Sequence, residues 1–165
     1  MTSQSLTASV KELSAVDGMV QLSFLIQSTL AFRAEEQGLS LIQTRLLGIL
    51  RDRIPSVNEL AKMLGLDKSS ASGLLSRAEL RGLVERIPSE VDRRVVVIRI
   101  TALGRLLGSK IAVEVESDVS RILAALSLKD AATFAKITSR LLIAHGDAHG
   151  VDLFAGVIAD PKGRS

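Results

Sequence analysis

The sequence has 165 residues, 47% of them apolar, and a formal net charge of +3 at pH 7. This length suits one domain with its own hydrophobic core. Because aromatic residues make up only 2% of the chain, that core is expected to consist of Leu, Ile, Val and Ala, and the long stretches in which these recur with a period of about 3.6 residues predict a mostly helical protein. The absence of cysteine excludes disulfides, zinc–thiolate sites and thiol redox sensing.

The chain lacks the patterns of a membrane, exported or enzymatic protein. Its first residues do not form a basic segment followed by an apolar one, and no run reaches the roughly 18 apolar residues of a membrane span. There is no Gly-x-Ser-x-Gly motif, no glycine-rich phosphate loop and no cluster of carboxylates on one predicted face. We therefore expect a cytoplasmic protein that is not an enzyme.

Two helices are predicted near the N-terminus. The first, over residues 15–37, is apolar around more than one face, which is typical of a helix buried on two sides, one against its own domain and one against a partner subunit. Gly38 ends this helix. Ser40 and Gln43 then form a capping box that opens a second helix over residues 41–52.

Residues 56–82 have the pattern of a helix-turn-helix. Ser56 and Glu59 form a capping box, Gly65 supplies the left-handed residue that ends the first helix, and Asp67 caps the second. The apolar faces of the two helices are Val57, Leu60, Ala61 and Leu64 in the first and Ala71, Leu74, Leu75 and Ala78 in the second.

The second of these helices leaves a face of small polar residues outside. Small hydroxyl side chains let a helix backbone approach the floor of a DNA groove, and they form hydrogen bonds with base edges and phosphates. The ordinary alternative is a solvated helix face. This face and its flanking cations are Lys68, Ser69, Ser72, Gly73, Ser76 and Arg77.

A β-hairpin is predicted next, with β-branched strands over residues 83–87 and 95–100. Its tip carries Asp92, Arg93 and Arg94. An arginine on a projecting tip suits a narrow minor groove, where the negative potential is concentrated, and the carboxylate two residues earlier can hold that arginine in an extended pose. The alternative is an exposed turn with ordinary surface charges.

Two further helices follow the hairpin. Thr101 caps a helix that runs to about Leu126, and its regular apolar stripe is longer than one small domain can cover. Ser127 and Asp130 open a last helix over residues 128–144. Apolar helices at both ends of the chain predict a two-fold dimer whose ends interlace.

Three stretches give the sequence a resemblance to the MarR family of winged helix-turn-helix regulators. They are ELAKMLGLDKSSASGLLSRAELRGLVER at 59–86, DRR at 92–94 and IRITALG at 98–104. A looser resemblance extends over about residues 14–145.

The resemblance implies a mostly α fold with a small β-hairpin, in a single domain over residues 1–165. Residues 40–101 would form the winged helix-turn-helix. The N- and C-terminal helices, over 14–38 and 102–145, would form a dimerisation region, and 146–165 would be a tail.

The resemblance also implies a homodimeric transcription regulator, commonly a ligand-responsive repressor, that binds a pseudo-palindromic operator on double-stranded DNA. Many relatives carry an arginine where this chain has Gly73. We therefore expect fewer direct base contacts and more dependence on the wings. The expected DNA contacts are Lys68, Ser69, Ser70, Ser72, Ser76, Arg77, Asp92, Arg93 and Arg94.

No resident cofactor is expected, but members of the family commonly bind a small aromatic or anionic effector between the dimer helices and the DNA-binding region. Phe24, Phe32, Gln43 and Arg45 are candidates for lining such a cleft. Packing or a surface position explains each of them equally well.

His145 and His149 are the two histidines of the chain and candidate metal ligands. In a helix they would lie on one face at i and i+4, with Asp147 nearby, and could hold a divalent metal. Gly146 and Gly150 instead predict that the helix ends there, where the helix dipole favours a histidine. No metal site is therefore predicted.

A second interpretation is a winged-helix module that acts through protein contacts and binds little DNA. Residues 56–100 carry eight basic and six acidic side chains, a modest excess for a nucleic-acid-binding segment. The arginines at the hairpin tip favour DNA binding, because a protein-docking surface has no need of them.

Overall fold

The computed structural model describes residues 13–149, with side chains described as far as residue 146. The fold is mostly helical with one antiparallel hairpin, as predicted. Its elements in chain order are α1 Ala15–Glu36, α2 Leu41–Leu50, α3 Val57–Leu64, α4 Lys68–Leu80, β1 Val84–Pro88, β2 Val96–Ile100, α5 Ala102–Leu123 and α6 Leu128–His149.

The predicted helix caps are present. Ser40 and Ser56 each accept a hydrogen bond from the backbone N–H three residues later, and the glutamine or glutamate at that position accepts from the N–H of the serine. Asp67 and Thr101 cap α4 and α5 with their side-chain oxygens, and Ser127 caps α6. These local bonds fix where five of the helices begin.

Two helix ends differ from the prediction. α5 ends at Leu123 rather than near Leu126, because the last N–H groups bond to carbonyls only three residues back and form a tight final turn. α6 does not end near Ala144 but continues through Gly146 to His149. A glycine inside a helix costs only about 1 kcal/mol relative to alanine, so one glycine was not enough to end it.

The hairpin is tied to the helix-turn-helix. β1 and β2 pair from Val84 opposite Ile100 to Pro88 opposite Val96. The N–H of Ile98 donates to the carbonyl oxygen of Pro55 at 2.8 Å, so the segment before α3 lies along the outer side of β2. The wing and the helices therefore form one unit.

The core lies between α2, α3, α4, the hairpin and the middle of α5, and it is aliphatic, as the composition predicted. Ile111 brings α5 onto this core. The largest fully buried side chains are Leu46, Leu47, Leu50, Leu60, Leu75, Leu83, Ile98 and Ile111.

Two glycines let α5 approach the hairpin and α2 closely. A Cβ atom on Gly104 would lie 2.1 Å from the carbonyl oxygen of Leu83, and one on Gly108 would lie 3.4 Å from the Cβ of Leu47. The long helix is therefore in direct backbone contact with the start of β1.

A group of charged side chains joins α1 to α5. The Arg33 guanidinium donates to both carboxylate oxygens of Asp118, at 2.7 and 2.9 Å, and to Glu36 at 2.9 Å. These bonds from Arg33, together with one from Arg121, hold the pKa of Asp118 at about 2, below its ordinary 3.8. The same bonds raise the pKa of Arg33.

α1 and α6 leave many large apolar side chains exposed. No residue of α6 from Leu128 to His145 is buried, so this helix covers little of its own chain. Apolar exposure on this scale marks an interaction surface. The exposed side chains on the two helices include Val16, Met19, Phe24, Phe32, Phe134, Ile137, Leu141 and Leu142.

α1 is also long and apolar enough to cross a membrane, by length and composition alone. It has 22 residues, with a mean hydropathy of 1.2 over one 18-residue window. From the sequence we expected no stretch that is long and apolar enough to span a membrane. Its Arg33 pairs with Asp118 of α5, so the C-terminal part of α1 packs against α5. An interface helix has the same length and composition.

Candidate nucleic-acid interface

α4 is fixed by its apolar side and exposes its polar side. Ala71, Leu74, Leu75 and Ala78 are buried, and this sets the rotation of the helix about its axis. The exposed residues on the other side include Lys68, Ser69, Ser72, Ser76 and Arg77. The structure thus brings together five of the predicted DNA contacts on one helix face.

Ser70 differs from Ser69 and Ser72 because its hydroxyl is already hydrogen-bonded. That hydroxyl donates to one oxygen of Asp67 at 2.6 Å, and the backbone N–H of Ser70 donates to the other at 2.9 Å. The two bonds lower the pKa of Asp67. A DNA contact by the Ser70 hydroxyl would have to replace a bond that caps α4.

Arg77 lies along the helix toward its N-terminus. Its Nη1 atom is 3.4 Å from the point where a Cβ on Gly73 would stand. The Arg77 guanidinium therefore lies against the open side of Gly73. The sequence showed that Gly73 replaces an arginine of many relatives, but it did not indicate that Arg77 would lie against this glycine.

Arg86 of β1 connects the wing to α4 and was not among the predicted residues. Its guanidinium donates to Glu79 at 2.8 Å and to the hydroxyl of Ser76 at 3.4 Å. The signal in the sequence was weak, since a strand arginine has no fixed spacing to the partners it meets on a helix.

The tip of the wing is an ordered loop. The Ser89 hydroxyl accepts from the N–H groups of Val91 and Asp92, and the N–H of Val95 donates to the carbonyl oxygen of Asp92 at 2.9 Å. Asp92 also accepts from the backbone N–H of Arg94 at 3.0 Å. Its carboxylate thus positions the backbone of the tip and makes no bond to the Arg94 guanidinium within residues 13–149.

Arg93 and Arg94 are both exposed. Neither guanidinium forms an ion pair with another residue in the described part of the chain. Val91, at the same tip, has 98% of its surface exposed. The tip therefore projects two unpaired cations on a loop held by internal hydrogen bonds.

A cavity of about 220 Å³ lies between α1, α2 and α5, next to the DNA-binding region. Arg45 lines it, as proposed, but Phe24, Phe32 and Gln43 do not. Phe32 packs under the Arg33 guanidinium on the surface, and the Gln43 amide oxygen accepts from Ser40 and Arg81. The lining includes Leu30, Leu47, Ile100, Ile111 and Val115 and the three arginines Arg45, Arg51 and Arg105.

The helical backbone extends over both histidine positions, so His145 and His149 share a helix face, contrary to the expectation that the helix ends between them. The side chains of residues 147–149 lie outside the described ones. Among the described side chains, no group of three or more His, Asp or Glu residues is placed to hold a metal. The predicted tail over 146–165 begins inside α6, and its residues after 149 lie outside the described range.

Comparison with known proteins relates this chain to MarR-family regulators by sequence and to the same fold by structure. A model of the MarR family matches residues 37–95. YfiV, an HTH-type transcriptional regulator of Bacillus subtilis, is 38% identical over 64 residues, which cover 38% of this chain and 40% of YfiV. The match therefore spans less than half of that relative's length.

Solved structures share the fold over most of the chain. The crystal structure of YusO from B. subtilis matches with a TM-score of 0.59 and 26% identity, over 78% of this chain and 97% of YusO. Wild-type MarR from E. coli matches with a TM-score of 0.67 and 20% identity, over 80% of this chain and 99% of MarR. The resemblance to the MarR family of winged helix-turn-helix regulators is thus confirmed, by sequence over residues 37–95 and by fold over about four-fifths of the chain.

Proposed function

We propose that this protein is a transcription regulator that binds double-stranded DNA as a homodimer. The observation that carries the proposal is the outer face of α4, where small hydroxyls and a guanidinium stand exposed on a helix whose other side is fixed in the core. Such a helix can enter a major groove and bring those groups to base edges and phosphates. The proposed DNA contacts remain the predicted ones: Lys68, Ser69, Ser70, Ser72, Ser76, Arg77, Asp92, Arg93 and Arg94.

The wing supports a second contact with the same DNA. The hydrogen bonds of Ser89 and Asp92 order its tip before any ligand arrives, so little entropy would be lost on binding. The exposed guanidiniums of Arg93 and Arg94 suit a minor groove, which attracts arginine most where it is narrow.

A homodimer is supported by the exposed apolar side chains of α1 and α6. Burial of apolar surface contributes about 25 cal/mol per Å², and a helix that exposes Phe134, Ile137 and Leu141 gains that energy only against a partner. Two copies related by a two-fold axis would present two α4 helices to a pseudo-palindrome, with half-sites about 34–36 Å apart. A DNA-binding role places the protein in the cytoplasm.

The cavity supports control by a small anionic effector. Its wall is largely aliphatic, and Arg45 and Arg105 supply positive charge, whereas Arg51 is paired with Asp52 at 2.9 Å. Its volume of about 220 Å³ is below the ~300–1,000 Å³ typical of drug-sized ligands, which favours a small effector. α5 lines this cavity and also packs at Gly104 against Leu83, the residue before β1. A ligand that binds one α5 position better than another would shift the spacing of the two α4 helices and release the DNA, as in a ligand-responsive repressor.

The effector proposal predicts that the negative charge of the ligand matters. Benzoate should raise the melting temperature of the protein and weaken its binding to DNA, whereas benzamide, with a similar shape and no charge, should do neither. Arg45→Ala should remove the benzoate effect. An equal response to benzoate and benzamide, or an unchanged response in Arg45→Ala, would contradict the assignment of this cavity.

DNA binding is tested directly by fluorescence anisotropy on fragments of the upstream region of the gene, at several salt concentrations. We expect tight binding whose affinity falls steeply with salt, because phosphate contacts release counterions. Arg94→Ala should weaken it by about 1–3 kcal/mol, while Arg99→Ala, a control in the body of the hairpin where Arg99 pairs with Glu85 at 2.7 Å, should have a smaller effect. Binding absent on every fragment even at low salt would reject the proposal and leave the protein-contact module in its place.

A further inference from the structure

We infer that Arg77, lying across Gly73, is the residue of α4 that reads a base, through a bidentate hydrogen bond to a guanine. This inference rests on the proposed DNA binding and specifies its chemistry. It also reverses part of the expectation from the sequence, in which Gly73 was a lost base contact.

The placement of the guanidinium follows from helix geometry. Side chains on an α-helix lean toward the N-terminus, so a residue covers the turn before its own Cα. Arg77 therefore reaches back over position 73, and its Nη1 atom comes within 3.4 Å of the place of the missing Cβ. That point lies in the middle of the outer face of α4, between the exposed residues Ser69 and Ser76.

The guanidinium is also available for a ligand. Arg77 is exposed, and within residues 13–149 its side chain forms no hydrogen bond or ion pair. Glu79, the acidic residue nearest to it on α4, is bound instead by Arg86 of β1 at 2.8 Å. Residues two positions apart on a helix point to different sides, so this carboxylate does not draw Arg77 off the face.

The chemistry of the group favours guanine. The two nitrogen edges of a guanidinium match the O6 and N7 acceptors of guanine in the major groove, and this pair is the commonest specific contact in protein–DNA complexes. The other long cation of α4, Lys68, stands in the first turn and carries a point charge, which suits a phosphate. The hydroxyls of the serines are too short to replace the reach of Arg77.

Gly73 has a definite part in this arrangement. A larger side chain at position 73 would occupy the space that the guanidinium holds, although the backbone of α4 would be unaffected. Gly73→Leu should therefore remove base reading while Arg77 is still present.

The test measures base preference as well as affinity. A bound upstream fragment is shortened to its minimal site, each base pair is substituted in turn, and anisotropy is measured for wild type, Arg77→Ala, Gly73→Leu and the control Lys68→Ala. Thermal melts confirm that each variant is folded. Wild type should lose about 5- to 150-fold on replacement of one guanine in each half-site, and both Arg77→Ala and Gly73→Leu should lose that preference with an unchanged salt slope.

The control should behave differently, because Lys68→Ala should weaken all sequences alike and lower the salt slope. Arg77 is not the base-reading residue if Arg77→Ala weakens binding to all sequences alike and lowers the salt slope, or if it keeps the guanine preference at every position. In either case the proposed DNA binding stands. If wild type binds no fragment at any salt concentration, the proposed function fails first and the inference fails with it.

Discussion

Gly104 shows how a single position sets the approach of α5 to the DNA-binding region. The space that a side chain would need is filled by the carbonyl oxygen of Leu83. That oxygen also accepts a hydrogen bond from the N–H of Thr101 at 3.1 Å, so the backbone there is tied at the start of β1 and cannot move aside freely.

Gly104→Ala should therefore destabilise the protein by about 1–3 kcal/mol, the usual cost of forcing extra atoms into a packed region. The measurement is the free energy of unfolding in urea at a fixed protein concentration. Gly48→Ala is the matched control, because a Cβ on Gly48 would meet no atom within 4 Å. It should stabilise α2 by about 0.5–1 kcal/mol. Equal effects of the two variants would disprove the close contact.

At the scale of elements, α1 and α5 are joined by the bonds between Arg33 and Asp118. Since the pKa of Asp118 is lowered from 3.8 to about 2 in the fold, the folded state favours the ionised carboxylate. The stabilisation is complete above the unfolded pKa and is lost as the pH falls from about 4 to about 2.

Asp118→Asn should lower the free energy of unfolding at pH 7, and its difference from wild type should shrink as the pH approaches 2. Urea unfolding of both proteins at pH 7, 4 and 2.5 measures this. Glu114→Gln is the control, since Glu114 is more exposed and its oxygen is 3.7 Å from Arg33, so it should show little difference at any pH. An Asp118→Asn deficit that is the same at pH 7 and pH 2.5 would show that the carboxylate charge has no part in it.

The elements that could be predicted from the sequence are those with local causes. Each helix cap depends on residues no more than three positions apart, as for Ser56 and Glu59, and the apolar spacing of α3 and α4 fixes their buried sides. The predicted end of α6 near Gly146 was wrong, because an isolated glycine inside a helical pattern weakens the helix without necessarily ending it.

The features that could not be predicted join distant parts of the chain. Arg33 and Asp118 are 85 positions apart, and the bonds of Arg86 to Ser76 and Glu79 depend on how β1 lies against α4. The cavity forms where α1, α2 and α5 pack together, and no sequence motif marks the residues that line it. At the candidate DNA interface, the sequence indicated which residue types face outward, but the position of the Arg77 guanidinium over Gly73 required the structure.

At the scale of the whole molecule, the proposed dimer explains both the exposed apolar face of α6 and the exposed polar face of α4. A single copy has one recognition helix and leaves Phe134, Ile137 and Leu141 in water. In the proposed two-fold dimer those side chains would be buried and the distance between the two recognition helices would be set, so that DNA binding would depend on dimerisation.

Hydroxyl-radical footprinting on a bound fragment tests this central claim most directly, with wild type beside Leu141→Asp and the control Ala132→Asp. Position 132 lies on the opposite side of α6 from Leu141, so the same carboxylate there should leave the dimer intact. Sedimentation of the three proteins gives their oligomeric state.

For wild type and Ala132→Asp we expect two protected patches on one face of the duplex, about 10–10.5 base pairs apart from centre to centre. Leu141→Asp should sediment as a monomer and lose both patches at the same protein concentration. A single protected half-site from a wild-type monomer, or no protection at all, would contradict the account of a dimer that reads two successive major grooves.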